Sequence, residues 1–312
     1  MKVFAFSPGK TILLGEHFVV HNAYALVAAI EQGSLVSTHF SDQDEIFSLS
    51  LNIGWREGSN VPHQLLPYKR ALDLIREKYS CSRKIKSIIS TNLPISAGLG
   101  SSSSTSVAYA ASVIKLVSGE VDPNILFDIA MESERVTHGN PSGVDVFIGI
   151  RGGIHLFKKD GLSKEISLPF KIKVLLVNSK IVRQTSQLIS KFSSFKNLYP
   201  SYFNRLVEAS SHITLTGSEL LNKGALEDFG LLMCYQHAIL SYFGVSNDVL
   251  DRIVELAIKS GALGAKLTGA GGGGCVIVLP EQSKVKEILE NFRNFEVYVS
   301  GIPSEGLKVW VE

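Results

Sequence analysis

The feature that most restricts the fold of this chain is a loop rich in glycine and serine that leads directly into a helix. The residues from Asn92 to Ser112 read NLPISAGLGSSSSTSVAYAAS. A surface linker could contain such residues for a short distance, but it would not continue into the small apolar stretch Val107–Ala111, which reads as helix. The loop therefore belongs to a folded domain, where it turns tightly at the entrance of a helix.

A loop of this kind can hold a phosphate group. The first backbone N–H groups of a helix have no partner within the helix, and the helix dipole adds roughly half a positive charge at that end. Glycine at 98 and 100 lets the backbone approach an anion, and the hydroxyls of serines 101 to 104 could donate to phosphate oxygens or bind a hydrated Mg²⁺. The alternative is a flexible turn with a serine N-cap, which is a common arrangement. The loop alone does not decide between these interpretations.

The composition is that of a globular protein from a reducing cytoplasm. The 312 residues are 45% hydrophobic and 19% charged, and a net charge of +2 is too small to favour nucleic acid or an anionic membrane as the main partner. Cys81, Cys234 and Cys275 are odd in number and far apart, which disfavours a disulfide framework or a zinc site. No signal-peptide run opens the sequence, and the longest uncharged stretch, 87–114, contains proline and many serines, so we expect no membrane segment.

Hydrophobic spacing predicts strands and helices mixed in two α+β domains, residues 1–168 and 169–312. The length allows one large or two moderate domains, and the pattern changes near residues 163–173. The predicted strands are 3–6, 35–40, 85–90, 144–150, 154–157, 174–177 and 275–279, and the predicted helices are 65–79, 102–117, 124–136, 188–223, 226–241 and 248–260.

A second stretch, Ser7-Pro-Gly-Lys-Thr-Ile-Leu-Leu-Gly-Glu-His17, places three ionisable residues close together. The lysine in the Pro-Gly turn, Lys10, could neutralise a transferred phosphoryl group, which a compact ammonium does well. In isolation, such a lysine is more commonly a solvated turn residue. Gly9-Lys10-Thr11 is not a P-loop, because Phe4 stands where the first glycine of that motif belongs.

A third stretch, from Glu132 to Asp145, places the carboxylates of Glu134 and Asp145 on either side of a turn. Glu134 lies near the end of a predicted helix, the cluster His138-Gly-Asn-Pro141 reverses the chain, and Asp145 is expected to begin the next strand. Such a return can bring both carboxylates to one cleft, where one can hold Mg²⁺ and the other can orient or deprotonate a hydroxyl. Taken alone, these acids are more often solvated, and His138 is expected to cap the turn rather than to ligate a metal.

A fourth stretch, Ala265-Lys-Leu-Thr-Gly-Ala-Gly-Gly-Gly-Gly-Cys-Val-Ile-Val278, inserts five glycines between a predicted helix and a predicted strand. Ordering them costs chain entropy and adds nothing to a packed core, so we expect this backbone to lie against a ligand at one side of the cleft. The spacing of Gly269, Gly271 and Gly274 matches the dinucleotide-binding pattern. However, the stretch precedes a strand instead of following one into a helix, so the match is accidental.

Together the four stretches resemble the GHMP kinase superfamily, because they occur in the family's order and extend over nearly the whole chain. Within it they are most similar to the members that phosphorylate mevalonate. Galactokinases typically carry arginine where Lys10 stands, and phosphomevalonate kinases typically show Gly-Glu-Tyr where this chain has Gly15-Glu16-His17. The run His138-Gly-Asn-Pro-Ser-Gly-Val-Asp145 is typical of the mevalonate-phosphorylating members.

The resemblance implies a two-domain α+β GHMP kinase fold with the active site in the cleft between the domains. The N-terminal domain would be ribosomal protein S5 domain 2-like and bind the nucleotide, and the C-terminal domain would be ferredoxin-like. The implied reaction is the in-line transfer of a phosphoryl group from ATP, with Mg²⁺, to the 5-hydroxyl of (R)-mevalonate, a step of isoprenoid biosynthesis.

The resemblance also implies the catalytic and metal-binding residues. Asp145 would be the base, or at least the group that orients the hydroxyl. Lys10 would contact the nucleophile and the γ-phosphate. Ser102 and Glu134 would bind Mg²⁺ between the β- and γ-phosphates, an ion that prefers oxygen ligands and keeps several waters.

Substrate contacts follow from the same resemblance. The acceptor alcohol would be faced by Glu16, His17 and Thr268. ATP would be held by Asn52 beside the adenine and by the loop backbone around the triphosphate, which comprises Pro94, Ile95, Ser96, Ala97, Gly98, Leu99, Gly100, Ser101, Ser102, Ser103 and Ser104.

This chain departs from the family pattern at Asn22, where glycine is frequent, and at Ser103 and Ser104, where alanine is usual. Asparagine also tolerates left-handed backbone geometry, and the serines are expected not to affect the inferred ligands. Two alternatives stay open: another small-molecule kinase of the superfamily, acting on phosphomevalonate or homoserine, and a non-catalytic nucleotide-binding module on the same fold. The joint presence of the lysine, the serine and the two acids argues against the second. The oligomeric state is open, with a homodimer as one option.

Overall fold

A computed structural model describes residues 1–94, 97–139, 141–158, 163–181 and 194–312. Among these residues, eight strands form the first sheet: β1 (Lys2–Leu14), β2 (Tyr24–Ser41), β3 (Glu45–Ser48), β4 (Ile53–Arg56), β5 (Lys84–Thr91), β6 (Ile154–Lys158), β7 (Ser163–Glu165) and β12 (Lys308–Val311). The order is β12-β1-β2-β5-β3-β4, with β6 on β2 and β7 on β6. Neighbouring strands are antiparallel except β3 and β5, which are parallel.

Four helices accompany the first sheet in the described part of the chain: α1 (Leu66–Tyr79), α2 (Ser101–Ser118), α3 (Pro123–His138) and α4 (Val144–Arg151). The central one, α2, packs against β1, β2, α1 and α3, and its residues from Ser103 to Ile114 are all buried. Its many alanines and serines let the neighbouring elements lie close to its backbone. The start of α3 is fixed by Asp122, whose side chain accepts hydrogen bonds from the N–H groups of Asn124 and Ile125.

The second sheet contains β8 (Ile172–Asn178), β9 (Ala262–Leu267), β10 (Cys275–Pro280) and β11 (Glu296–Ile302) in the antiparallel order β11-β8-β10-β9. The helices bounded within the described part of this half are α5 (Pro200–Lys223), α6 (Leu226–Tyr242), α7 (Asp248–Lys259) and α8 (Val285–Glu290). In the first half of the chain, short 3₁₀ turns occur at Phe18–His21 and His63–Leu65. Within the residues that the structure describes, no helix is both long and apolar enough to cross a membrane.

The two sheets share one hydrophobic cluster, in which Leu14 and Leu26 of the first sheet pack with Val174, Leu176 and Ile277 of the second. A polar link adds to it, because Glu31 on β2 accepts hydrogen bonds from the Lys171 side chain (2.6 Å) and from the N–H of Gly301 on β11 (2.8 Å). The last strand, β12, returns to pair with β1 and so lies outside the second sheet. The domain boundary near residue 168 stays a prediction.

The structure confirms most of the predicted elements, but β1 continues to Leu14 instead of ending at residue 6, and β2 begins at Tyr24 instead of at residue 35. The segment directly before the glycine run is the strand β9 and not a helix. Residues 188–193 of one predicted helix lie outside the described residues. The strand predicted at 144–150 is wrong, because these residues form α4. Val144, Val146 and Ile148 are buried, and a short apolar run of this kind cannot be told from a strand by periodicity alone. At Asn22 the backbone is left-handed (φ 69°), the geometry that asparagine was expected to tolerate.

A partly buried ion pair joins Asp44, the residue before β3, to Arg76 on α1 and gives a stability prediction. Asp44 accepts hydrogen bonds from two nitrogens of Arg76 (2.6 Å each) and from the N–H of Ile85 (2.8 Å). Burial raises the pKa of Asp44, but these hydrogen bonds and the Arg76 charge outweigh it and leave the pKa below its usual value. Asp44→Asn is therefore expected to lower the free energy of unfolding in urea at pH 7 by about 2 kcal/mol.

The pH dependence of that loss follows from the sign of the shift. Because the folded-state pKa is lowered, the contribution of Asp44 is fully present above its unfolded pKa, about 4, and is lost as the pH falls through the folded-state pKa. The difference between wild type and Asp44→Asn should therefore shrink below pH 4. Asp73→Asn, which removes the partner of Lys69 on an exposed helix surface, is the control and should change stability far less. Equal losses in both variants would contradict the prediction.

Candidate active site

Lys10 lies where the second stretch, Ser7 to His17, meets the serine loop. Its backbone N–H donates to the carbonyl of Leu99 (2.8 Å), and β1 carries a bulge between Pro8 and Lys10. A Cβ on Gly9 would lie 2.6 Å from the same carbonyl, so the close approach of the two segments requires glycine. The lysine side chain is 8% exposed, and its Nζ lies 3.3 Å from Oδ1 of Asp145. Lys10 and Asp145, which are far apart in sequence, are thus in contact.

The serine loop opens α2 through two glycines in left-handed geometry, Gly98 (φ 79°) and Gly100 (φ 75°). Gly100 is the N-cap, and no side chain caps this helix start. The alternative interpretation, a serine N-cap, is therefore wrong. A helix start without a side-chain cap, next to a buried lysine, is an arrangement that can accept a phosphate group.

Glu134 on α3 receives hydroxyl groups from the first turns of α2. The Ser102 hydroxyl donates to Oε1 (2.7 Å), the Ser103 hydroxyl to Oε2 (2.6 Å) and the Ser106 hydroxyl to Oε1 (3.1 Å). The expectation that the additional serines leave the inferred ligands unaffected is wrong for Ser103, which bonds directly to Glu134. The hydroxyl of Ser104 donates instead to the carbonyl of Ser7 (2.7 Å).

The residues predicted to bind Mg²⁺ fit that ion chemically. The Ser102 hydroxyl and a Glu134 carboxylate oxygen lie within hydrogen-bond distance of each other, and both are hard oxygen donors of the kind that Mg²⁺ takes. No group of three or more His, Cys, Asp or Glu side chains suited to a metal occurs among the described residues, so a cation here would depend on phosphate and water for its other ligands. His138, predicted to cap the turn, places Nε2 3.8 Å from Oε2 of Glu134.

Asp145 lies in the first turn of α4, after the left-handed N-cap Gly143 (φ 81°). The prediction that it begins a strand is wrong, and that the turn brings Asp145 and Glu134 to one cleft stays a prediction. Its side chain is 36% exposed, in contrast to the buried lysine. The positive end of the helix dipole favours a carboxylate at this position. The pair therefore consists of a partly exposed carboxylate on Asp145 and a buried ammonium on Lys10.

Glu16 is fully buried and forms an ion pair with Lys266 on β9, which is also fully buried. Burial raises the pKa of Glu16 and lowers that of Lys266, and each charge opposes the shift of the other. The lysine also donates to the carbonyl of Leu267 (2.6 Å). Sequence reasoning missed Lys266, for which the available signal was a lysine within an apolar segment next to the glycine run. Because Glu16 has no exposed surface, its direct contact with an acceptor alcohol stays a prediction.

Thr268 and His17 join β1 to the glycine-rich stretch. The Thr268 hydroxyl accepts from the N–H of Ile12 (3.0 Å) and lies 3.1 Å from the hydroxyl of Thr11. Nε2 of His17 lies 2.8 Å from the carbonyl of Ala270. Both predicted substrate residues thus lie at one junction, and their contacts with the acceptor stay predictions.

The glycine run contacts protein backbone at two of its positions. A Cβ on Gly271 would lie 2.4 Å from the carbonyl of Val245, and one on Gly273 would lie 2.4 Å from the carbonyl of Ile181. The N–H of Gly272 donates to the same Val245 carbonyl (2.8 Å). Internal packing therefore explains these glycines, contrary to the expectation that a packed core gains nothing from them. Contact of the run with a ligand stays a prediction.

A substitution at Gly271 tests this packing. Gly271→Ala should lower the free energy of unfolding by about 3 kcal/mol, because it combines a strained positive φ (71°) with overpacking against the Val245 carbonyl. The control is Gly244→Ala, which has nearly the same φ (68°) and nothing within 4 Å of its Cβ, and should lose about 1 kcal/mol. Urea unfolding of both variants gives the comparison. Equal losses would mean that the close approach to Val245 carries no energy.

The site described above does not include three of the predicted nucleotide-binding residues. Ile95 and Ser96 lie outside the described residues. Asn52 is exposed in the turn between β3 and β4, at the end of the strand order away from β1, with its backbone in left-handed geometry (φ 50°). Its contact with adenine stays a prediction.

Comparison with known proteins identifies relatives over the whole chain. The family model described as GHMP kinases N terminal domain matches residues 67–153, and that described as GHMP kinases C terminal matches residues 218–297. A mevalonate kinase from Aeropyrum pernix is 30% identical over 98% of this chain and 97% of its own length. One from Archaeoglobus fulgidus is 32% identical over 90% of this chain and 94% of its own length.

Solved structures are also similar to this chain over nearly its whole length. The crystal structure of the Methanococcus jannaschii mevalonate kinase matches with a TM-score of 0.85 at 26% identity, covering 98% of each chain. The structure of L. major mevalonate kinase in complex with R-mevalonate matches with a TM-score of 0.81 at 26% identity, covering 96% of each chain. The predicted α+β GHMP kinase fold is confirmed.

Proposed function

Because the chain belongs to the GHMP kinase family, we propose that it transfers the γ-phosphoryl group of ATP to the 5-hydroxyl of (R)-mevalonate. The observation that carries this proposal is the contact of 3.3 Å between Lys10 Nζ and Asp145 Oδ1, beside the uncapped start of α2. It brings together an accessible carboxylate, an ammonium and a helix start that no side chain caps. The relatives named mevalonate kinase support mevalonate as the acceptor.

The chain's residues would supply mainly position and charge, because phosphoryl transfer needs little covalent help from a protein. Asp145, as the exposed member of the pair, would accept a hydrogen bond from the acceptor hydroxyl and orient it or take its proton. Lys10 would lie between that hydroxyl and the phosphate, where its charge neutralises the transferred group. Burial of its stem limits the positions that its ammonium can adopt, which favours one geometry for the reacting oxygen.

The nucleotide would lie along the serine loop. The backbone from Pro94 to Ser104 would surround the triphosphate, and Ser102 and Glu134 would hold Mg²⁺. The ion, when bound, supplies positive charge that offsets the negative charge of the phosphates. Glu16 and Lys266 would support the site indirectly. Their buried ion pair connects β9 to the segment that follows β1.

The test is a comparison of acceptor alcohols. The purified chain is incubated with ATP and Mg²⁺ together with mevalonate, phosphomevalonate or homoserine, and ADP and the phosphorylated product are quantified. We expect turnover with mevalonate and at most background with the other two. Turnover with homoserine alone would contradict the choice of acceptor, and ADP formation with none of the three would support a non-catalytic module.

Two finer features belong to the same proposal. A cytoplasmic location agrees with a chain whose described residues contain no membrane-spanning helix, and with a substrate pair that is water-soluble. A homodimer is compatible with the exposed side chains of Leu198, Tyr199 and Tyr202, just before and at the start of α5. Sedimentation equilibrium of the purified chain would decide between monomer and dimer.

A further inference from the structure

The carboxylate of Glu134 has its two oxygens in different surroundings. Oε1 accepts from Ser102 (2.7 Å) and Ser106 (3.1 Å), whereas the described hydrogen-bond donor to Oε2 is Ser103 (2.6 Å). Glu134 and Ser103 are each 3% exposed, and Ser102 is the more exposed of the serines around the carboxylate. Ser102 and Ser103 thus donate to different oxygens of the carboxylate, and Nε2 of His138 lies 3.8 Å from Oε2, the oxygen that Ser103 holds.

A hydrogen bond from Ser103 restricts how this carboxylate can turn. The terminal torsion of a glutamate is broad and roughly two-fold, so a carboxylate bonded through one oxygen alone can rotate and exchange its oxygens. A short bond from a buried hydroxyl to an ionised oxygen is stronger than a neutral one and is not weakened by competing water. With Oε2 held in this way, Oε1 keeps its place beside the Ser102 hydroxyl.

We propose that Ser103 is a positioning residue for the divalent cation, because it holds Oε2 of Glu134 and thereby presents Oε1 beside Ser102 as the metal-facing oxygen. This inference rests on the proposed function, in which Ser102 and Glu134 hold the cation. Partners that fix a ligating carboxylate usually change metal affinity by a factor of 10 to 100 when they are removed. The Ser103 side chain would act on the cation through the carboxylate of Glu134, to which its hydroxyl donates.

The test measures cation binding apart from catalysis. Mn²⁺ is titrated into the protein saturated with ADP, and free Mn²⁺ is followed by electron paramagnetic resonance. Ser103→Ala should weaken Mn²⁺ binding about tenfold. The control is Ser112→Ala, which removes another buried hydroxyl from α2, one that bonds to the carbonyl of Tyr109 (2.9 Å) and to Thr38 (2.8 Å). It should leave Mn²⁺ affinity within about twofold of wild type, because its partners do not include Glu134.

Two further variants keep the result decisive. Ser103→Cys preserves most of the side-chain volume but supplies only a weak donor, so it should also weaken Mn²⁺ binding even if the alanine variant does not fold. Glu134→Gln removes the charged ligand and should abolish the Mn²⁺ affinity that depends on this site. If the two Ser103 variants bind Mn²⁺ as wild type does while Glu134→Gln does not, the role of Ser103 is overturned and the metal site stands. If Glu134→Gln binds as wild type does, the metal assignment within the proposed function is wrong, and the inference falls with it.

Discussion

Replacing Asp145 with asparagine is expected to lower kcat for mevalonate phosphorylation about a thousandfold, within the range that a positioned acid or base contributes. Asparagine keeps the shape of the side chain and its place in the first turn of α4, but it removes the negative charge and the contact with Lys10. KM for ATP should change much less, because the substitution leaves the serine loop before α2 unchanged. Steady-state kinetics with ATP and mevalonate varied independently measures both quantities.

The control for this experiment is Asp248→Asn, which changes an exposed acid in the first turn of another helix, α7. It matches Asp145 in residue type and helix position but lies on the second half of the chain. Its kcat should equal that of wild type. A kcat within threefold of wild type for Asp145→Asn would show that the carboxylate neither orients the acceptor nor takes its proton.

Replacing Lys266 with methionine should be the most destabilising change considered, at about 3–5 kcal/mol in the free energy of unfolding. The substitution keeps an unbranched apolar stem but leaves Glu16 fully buried without its cationic partner. A typical domain is stable by only 5–15 kcal/mol, so this loss is a large share of the total. Urea unfolding monitored by fluorescence gives the value, with Lys259→Met, which removes an exposed partner of Glu255, as the control.

The double variant Glu16→Gln with Lys266→Met separates the pair from its parts. Because it removes both charges, it should recover much of the stability that the single substitution loses. A single-variant loss no larger than that of Lys259→Met would mean that the buried pair is not what holds β9 against the segment after β1. Additive losses in the double variant would contradict the interaction between the two residues.

Much of the candidate site could be predicted from the sequence, because its parts carry local signals. A glycine pair before a helix and two acids around a turn each have a physical reason to be where they are. The turn predicted at Pro8-Gly9-Lys10 is wrong, because these residues lie within β1 at a bulge. The convergence of the parts depends on the order of strands, and the structure places Lys10 beside both Leu99 and Asp145. The family resemblance supplied that convergence in advance; the spacing of the residues did not.

The contributions of Lys266 and Ser103 could not be predicted, since each depends on a partner distant in sequence. Lys266 is matched by Glu16, 250 residues away, and Ser103 by Glu134, 31 residues away. From the sequence alone, a charged residue that is buried in the fold cannot be distinguished from an exposed one until its partner is known. The helix α4 was missed for a different reason, since its apolar run fits a strand equally well.

The pairing of β12 with β1 has a consequence for biosynthesis. The outer edge of β1, from Val3 to Phe6, pairs with residues 308–311, which the ribosome makes after every other described strand. An unpaired strand edge can form hydrogen bonds with strands of other chains. The nascent chain therefore exposes an aggregation-prone edge of β1 for most of its synthesis. This edge of β1 therefore stays uncovered until β12 has been made.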